Sequence, residues 1–323
     1  MKGKPWPRIA VVGAGAVGSY FGGMLARAGA RVKLIARAAH VEAINRDGLL
    51  IDSINFKERI SVSASTELKD VRDARLVLFS VKTVDTEDAA KLLAEHLAPD
   101  TIVVSLQNGV DNAERIDFAA GIQVIPAVVY IAVAMTGVGQ VKHSGRGDLI
   151  VGNSSGHLSG NPLPKDDASR SELDEVAATF TRAGIPCRIS KNIAVDLWEK
   201  LIMNCAYNAI SALARMKYGR IASDAGSIDV IKRVVVEAVA VGKAAGVPLS
   251  ADTMIAAALK LGSAAMPEAL SSTAQDIARG KPTEIDSLNG FLVRRGAEMG
   301  VPTPVNQTLY SLVKLLERAS SVG

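Results

Sequence analysis

Arg8–Arg37 reads RIAVVGAGAVGSYFGGMLARAGARVKLIAR, and the order of its parts decides the fold. Arg8–Val12 is apolar and β-branched, Gly13-Ala-Gly15-Ala-Val-Gly18 follows at once, small and apolar residues continue to Ala28, and Arg31–Ala36 is apolar again. A strand, a glycine turn, a helix and a second strand within about 30 residues make the opening of a dinucleotide-binding, Rossmann-type sheet. Gly13 permits the tight turn, Gly15 lets a pyrophosphate approach the backbone, and Gly18 lets helix and strand pack closely. The helix start at Ala16 and Val17 offers unpaired N–H groups to the phosphates. A rival reading gives the glycines to helix–sheet packing alone. The second strand leads to Arg37, where an NAD enzyme places a carboxylate on the ribose 2′-hydroxyl. A cation there suits a 2′-phosphate, so the sequence predicts NADP(H), although Arg37 also fits a solvated surface. His40 reads as the start of the next helix rather than a neighbour of the adenine.

Outward from this unit, apolar runs at Leu76–Ser80, Ile102–Leu106 and Val124–Val129 alternate with helical patterns such as Thr86–Leu97. The expected fold class is α/β, with an N-terminal doubly wound parallel sheet. Gly137–Gly152, punctuated by glycine, reads as antiparallel strands at the sheet edge. Asn153–Ser171, rich in Ser, Gly, Pro and charge, reads as a surface loop, followed by a helix over Arg170–Ala183 and a strand over Pro186–Ile189. From Asn192 onward the pattern is helical, broken at Gly246-Val-Pro248, Met266-Pro267, Gly280-Lys-Pro282 and Gly300-Val-Pro302. A second, all-helical domain follows, with the boundary near Ser190, giving domains 1–190 and 191–323.

Composition excludes several classes. A chain of 323 residues exceeds the usual single core, so two domains are expected. A net charge of +4 and 4% aromatic residues supply neither the basic surface nor the stacking platform that nucleic-acid binding needs. Lys2, Lys4 and Arg8 before an apolar run imitate a secretory signal, but strand, turn and helix explain that run better. Ile125–Met135 is the longest apolar stretch, short of the roughly 18 residues of a membrane span. Cys187 and Cys205 are isolated, and His40, His96, His143 and His157 form no metal pattern or triad, so no metal is expected and a reducing cytoplasm fits.

Chemistry is concentrated at four places. Ser80-Val-Lys82-Thr and Leu106-Gln-Asn108-Gly-Val each end an apolar strand, at the carboxyl edge where open α/β sheets bind ligands. Asn108-Gly109 alone would be a turn, with Asn tolerating a left-handed conformation. In VDLWEKLIMNCAYNAISALA (Val195–Ala214), Lys200, Asn204 and Asn208 fall at i, i+4 and i+8 and climb one helix face as an ammonium and two amides. Leu197, Leu201, Ile202, Ala206, Ile210 and Leu213 supply the apolar surface around them. Such groups, once buried, need partners, which a ligand or an inter-helix polar seam can provide. Ser271-Ser272-Thr-Ala-Gln-Asp-Ile-Ala-Arg-Gly-Lys-Pro-Thr283-Glu284-Ile-Asp286 gathers polar groups around one interhelical turn. Here Thr283 fits an N-cap, with Glu284 and Asp286 in the first helical turn.

Taken together, GAGAVG, the strand-ending Arg37, VKT at Lys82, LQNGV, WEKLIMNCAYNAISAL and SSTAQDIARGKPTEIDSLNG resemble the ketopantoate reductase (2-dehydropantoate 2-reductase) family, in order and across both domains. The resemblance implies NADPH-dependent reduction of a small keto acid in pantothenate biosynthesis. It makes Lys200 the general acid and gives Glu284 a part in catalysis and substrate binding. It places Asn108, Asn204, Asn208 and Ser272 on the substrate, with Arg37, Lys82 and Asn108 facing the cofactor. Thr273-Ala274 departs from the family's bulkier Met-Leu, and Lys281 stands where Arg is common, which bears on the shape of the substrate pocket. Chemically, hydride addition to a carbonyl builds negative charge on oxygen, and an ordinary lysine, with a pKa of about 10.4, arrives protonated to meet it. Two alternatives stay open: a related NADP-dependent reductase or dehydrogenase of another 2-keto or 3-hydroxy acid, and a non-catalytic NADP(H) sensor, which would have no use for Lys200 with Glu284. The helical faces of the second domain leave room for a homodimer.

Overall fold

The computed structural model describes residues 5–153 and 167–320. The chain divides into two compact units, 1–193 and 194–323.

The first unit runs β1 (Arg8–Val12), α1 (Ala16–Arg27), β2 (Arg31–Ile35), α2 (Ala38–Asp47), β3 (Leu49–Ser53), β4 (Lys57–Ile60), β5 (Ser63–Ser65), β6 (Leu76–Phe79), α3 (Thr86–Ala94), β7 (Ile102–Ser105), α4 (Asn112–Ala120), β8 (Val124–Gly137), β9 (Gln140–Val151), α5 (Asp167–Arg182) and β10 (Cys187–Ile189). The ten strands form one sheet in the order β4-β3-β9-β8-β7-β6-β1-β2-β5, with β10 on β9. From β8 to β5 every pairing is parallel, the Rossmann-like arrangement that the opening predicts. Alternate residues explain the unbroken apolar runs. Ile9, Val11, Leu76 and Leu78 enter one core with Phe21, Leu25 and Phe180. Ala10, Val12, Val77 and Phe79 enter another with Leu93 and Ile116. Strands buried on both faces have no polar side to show in sequence.

Several details differ from the sequence pattern. The antiparallel element is a long hairpin: β8 continues from the parallel sheet to Gly137 and pairs with β9 through register shifts at Tyr130/Ile131, Ala132/Val133 and Met135/Gly137. β3, β4 and β5 add three short strands that no long apolar run announces. Of the segment Asn153–Ser171 read as a loop, residues 154–166, His157 among them, lie outside the described residues. From Asp167 the chain is already α5, so that helix starts before Arg170.

The second unit holds α6 (Ile193–Ala214, begun at the end of the first), α7 (Tyr218–Ala222), α8 (Ala225–Ala244), α9 (Ala251–Lys260), α10 (Ser272–Ala278), α11 (Asn289–Glu298) and α12 (Pro304–Ser320). Among its described residues there is no strand. Side chains that cannot continue a helix start the next one: Asp224, Ser250 and Ser271 cap α8, α9 and α10 by accepting from Ser227, Thr253 and Ala274 N–H groups, as orphan donors require. The unit's core holds buried Trp198, Ile202, Cys205 and Tyr207 of α6 and Val234, Val235 and Ala238 of α8, and Trp198 lies against Gly242 of α8, where a Cβ would come within 3.0 Å of the indole. Trp198 meets Phe291 of α11 edge-on at 5.9 Å. No helix among the described residues is long and apolar enough to cross a membrane.

Candidate active site

The glycine turn separates packing from ligand approach. Gly13 has φ +83°, and a Cβ there would lie 2.7 Å from Val81 N. A Cβ on Gly18 would collide with Ser80 Oγ and come within 2.8 Å of the Gly13 carbonyl oxygen. Packing alone therefore explains both. It does not explain Gly15, whose φ of −75° is ordinary and whose Cβ would find no protein atom nearer than 3.9 Å. Glycine at that position leaves space above the turn, as a phosphate oxygen approaching the backbone requires. Behind it, α1 begins with no side-chain cap and no acidic residue in its first turn, so Ala16 and Val17 sit where N–H groups and the helix dipole favour an anion. Arg37, exposed at the N-cap position of α2, makes no ion pair among the described residues, and its guanidinium remains available to a phosphate. These features fit NADP(H).

At the carboxyl ends of β6 and β7 the polar residues divide into braces and candidates. Ser80 is a brace, donating from Oγ to Gly13 O at 2.9 Å. Gln107, 7% exposed, is another: its amide NH₂ donates to Val81 O at 3.1 Å and Thr86 Oγ1 at 2.7 Å, and its Oε1 accepts from Ser105 at 3.0 Å. Lys82 is exposed and Asn108 half-buried beside these braces. The turn after β7 places its positive φ on Gly109, at +105°, and not on Asn108. Asn112 secures the same turn by donating to Asn108 O at 2.6 Å. The sequence marked both strand ends but did not separate Ser80 and Gln107 from the residues they support.

In the second unit, α6 presents Lys200, Asn204 and Asn208 with graded burial. Lys200 and Asn204 are half-buried, while Asn208 is 3% exposed. Of the apolar residues predicted around them, Leu201, Ile202 and Ala206 are buried, and Leu197, Ile210 and Leu213 only partly so. Asn208 Oδ1 accepts from the Tyr218 hydroxyl at 3.0 Å, which fixes the amide and directs its NH₂ away from Tyr218. Ser271 Oγ donates to the Asn208 carbonyl at 3.2 Å while capping α10, and Ser271 N donates to Ser211 Oγ at 3.3 Å. The serine pair thus divides: Ser271, 2% exposed, docks the start of α10 on α6, and Ser272, the next residue, is exposed. The docking joins Asn208 to Ser271, and Ser272 follows as the first residue of α10.

Glu284, half-buried, precedes a short 3₁₀ turn over Ile285–Ser287. Thr283 Oγ1 accepts from Ile285 N at 3.2 Å, but the N-cap position of the 3₁₀ turn is Glu284, so Thr283 closes a side-chain turn before it and is not the N-cap expected from sequence; α11 starts only at Asn289. Thr283, before Glu284, and Asp286, two residues after it, are both held by α12. Thr283 donates from N and Oγ1 to Glu317 at 2.8 and 2.6 Å. Asp286 accepts from the Tyr310 hydroxyl at 2.7 Å and from Lys314 at 2.9 Å, and Lys314 also pairs with Glu317 at 2.8 Å. Burial works against each charge, but the hydrogen bonds outweigh it. Asp286 and Glu317 are held below the usual carboxylate range, and Lys314 is pushed up to about 12. Asn289, fully buried, ties the start of α11 back to α6 through Cys205 O at 3.4 Å.

Other chemistry is excluded by surroundings. Burial pushes the Cys187 thiol up to about 12 and the Cys205 thiol higher still, so neither is a nucleophile at neutral pH. Among the described residues no group of His, Cys, Asp and Glu could hold a metal ion. An open concavity of about 850 Å³ is lined by Arg8, Arg31 and Lys33 at the amino ends of β1 and β2, opposite the glycine turn. Arg8 and Lys33 there are matched by Asp73 and Asp70, and the concavity is not part of the site.

Two family models match the chain: "Ketopantoate reductase PanE/ApbA" over residues 9–156 and "Ketopantoate reductase PanE/ApbA C terminal" over residues 192–317. The 2-dehydropantoate 2-reductase of Pyrococcus horikoshii is 34% identical over 312 residues, covering 96% of this chain and 97% of its own length. That of Halobacterium salinarum is 31% identical over 314 residues, covering 96% and 99%. Among solved structures, a PanE/ApbA family ketopantoate reductase from Ralstonia eutropha has a TM-score of 0.86 at 44% identity, covering 97% of this chain and 99% of that one. A D-mandelate dehydrogenase with a TM-score of 0.87 at 24% identity shares the fold.

Proposed function

The chain belongs to the ketopantoate reductase family, and from that membership we propose that it reduces 2-dehydropantoate to (R)-pantoate with NADPH. The observation that carries the proposal is the full-length match to 2-dehydropantoate 2-reductases by a chain that keeps Lys200, Asn204 and Asn208 on one helix. Bound in the first unit, the dihydronicotinamide supplies the hydride taken up by the C2 carbonyl carbon. Gly15 and the N–H groups of Ala16 and Val17 receive the pyrophosphate, Arg37 receives the 2′-phosphate, and Lys82 and Asn108 complete the cofactor contacts. Lys200 donates a proton to the carbonyl oxygen as charge grows there, which turns the ketone into a secondary alcohol. Glu284 supports that transfer and binds the substrate. Asn204, Asn208 through its NH₂, Asn108 and Ser272 orient the carboxylate and hydroxyl without adding charge. We place the reaction in the cytoplasm, a setting supported by two separate free thiols.

A panel of 2-keto acids with and without a 4-hydroxyl group, followed by loss of NADPH absorbance, tests this. The highest kcat/KM is expected with 2-dehydropantoate. Absence of turnover with it, alongside turnover of another keto acid, overturns the substrate while keeping the family. Absence of turnover with every acid, despite NADPH binding, would favour a sensor.

A further inference from the structure

We propose that His40 is a positioning residue for the cofactor: through Ser19 it fixes the glycine turn at Ala14, and through α2 it ties that turn to Arg37. The proposal rests on the NADP(H) reading of the glycine turn.

The argument begins from a backbone donor. Gly139 N–H, at the tip of the β8–β9 hairpin, lies 2.8 Å from His40 Nδ1. An N–H can only donate, so Nδ1 carries the lone pair, and the proton of the neutral ring sits on Nε2. Nε2 is 3.1 Å from Ser19 Oγ and donates to it. The serine's own hydrogen then goes to the Ala14 carbonyl at 2.9 Å. The chain of three hydrogen bonds has one direction, Gly139 to His40 to Ser19 to Ala14, and His40 and Ser19 within it are 8% and 0% exposed. Burial also holds His40 below its ordinary pKa, which keeps the ring neutral.

Each end of the chain meets a part of the cofactor site. A peptide group is planar, so fixing the Ala14 carbonyl fixes the N–H of Gly15 as well; that N–H points to Gly13 O at 2.7 Å. His40 is also the third residue of α2, and the N–H groups of His40 and Val41 both donate to Arg37 O, at 3.0 and 3.1 Å. The glycine turn is tied to β2 by the Gly13 and Ala14 N–H groups, which donate to Ile35 O at 3.2 and 3.0 Å; the imidazole adds a second tie, from the Ala14 carbonyl to the first turn of α2 that follows Arg37. A buried imidazole needs partners for both nitrogens in any role; what points to the cofactor site is that the chain ends on the Ala14 carbonyl, within the glycine turn.

The experiment measures NADPH affinity of the purified full chain by fluorescence titration, with thermal unfolding as a check on folding. His40→Leu keeps the bulk and removes both bonds, and its Kd for NADPH is expected to rise about tenfold. His40→Gln, whose amide can accept from Gly139 and donate to Ser19, is expected to stay within about threefold of the parent. KM for NADPH follows Kd, while KM for the keto acid moves less. A folded His40→Leu variant with parental affinity overturns the proposal, as does a folded His40→Gln variant that loses as much as His40→Leu. Should His40→Leu fail to fold, Ser19→Ala decides: weakened NADPH binding supports the relay, and parental binding refutes it. Failure of the parent itself to bind NADPH would instead overturn the cofactor reading.

Discussion

Replacing Gly15 by alanine should leave the protein folded and cost it the cofactor. The added Cβ meets nothing in the protein closer than 3.9 Å, and the backbone at φ −75°, ψ −154° is extended. Two small effects on stability oppose each other: alanine restricts the unfolded chain, worth about 0.4–1 kcal/mol, and is a poorer N-cap than glycine by a similar amount. The net change is expected within about 1 kcal/mol, or roughly 3 °C in Tm. A phosphate, however, must bring an oxygen to hydrogen-bonding distance of the backbone where the methyl would stand. Losing one charge-assisted bond costs about 2–3 kcal/mol, so Kd for NADPH should weaken by about 30- to 150-fold. Gly18→Ala is the contrasting case. Its Cβ would lie 2.8 Å from Gly13 O and collide with Ser80, and overpacking of that kind lowers stability by about 1–3 kcal/mol. Thermal unfolding and NADPH fluorescence titration on both variants separate the effects. A Gly15→Ala protein with unchanged Tm and unchanged Kd would refute the assignment of the space above the turn to the pyrophosphate.

Lys200→Ala should lower kcat by about 10²- to 10⁴-fold, the usual worth of a positioned proton donor, with NADPH affinity within a few-fold in a binding titration; a retained kcat would remove Lys200 from the mechanism. Tyr218→Phe deletes the hydroxyl that holds Asn208 Oδ1 and should raise KM for the keto acid about fivefold, from a loss near 1 kcal/mol, in steady-state assays. Glu317→Ala releases Thr283 beside Glu284 and should lower kcat/KM for the keto acid about tenfold while NADPH Kd holds. The same group has a pH window. Asp286 and Glu317 are depressed in the fold, so their stabilisation is full above their unfolded values of 3.8 and 4.5 and is lost as pH falls through the lower folded ones. Lys314 is raised from 10.5 to about 12, so its share is full below 10.5 and lost as pH rises through 12. Unfolding midpoints measured from acid to alkali should show both edges, and Glu317→Ala should weaken the acid edge.

The sequence was most legible where structure is local. The β-turn-α-β opening, the polar ladder on α6 and the polar cluster around Glu284 each declare themselves within one or two elements, because side-chain periodicity and turn chemistry act over a few residues. Their supports act over long separations. Gly139 reaches His40 across 99 residues, and Tyr310, Lys314 and Glu317 reach back 24, 28 and 34 residues to Asp286 and Thr283. Nothing in spacing distinguishes Ser271 from Ser272; the difference is which of them docks α10 on α6. Likewise Gln107 and Asn108 look alike beside one strand end, yet Gln107 is consumed by Val81, Thr86 and Ser105. The short strands β3, β4 and β5 escape the pattern because they carry few consecutive apolar residues and draw their stability from pairing with β9 and β2.

The way the sheet ends bears on how this protein behaves in a crowded solution. A broad sheet invites other chains to add strands along any exposed border, which is a route to aggregation. At the two ends of the strand order stand β4, four residues reading Lys57-Glu58-Arg59-Ile60, and β5, three residues reading Ser63-Ala64-Ser65. One border offers alternating charge and the other too short a ladder for a stranger to hold. The long β8–β9 hairpin is flanked by β3 and β10 along β9, while β7 pairs only with Val124–Pro126 of β8, so protection there falls to the register shifts between the two strands.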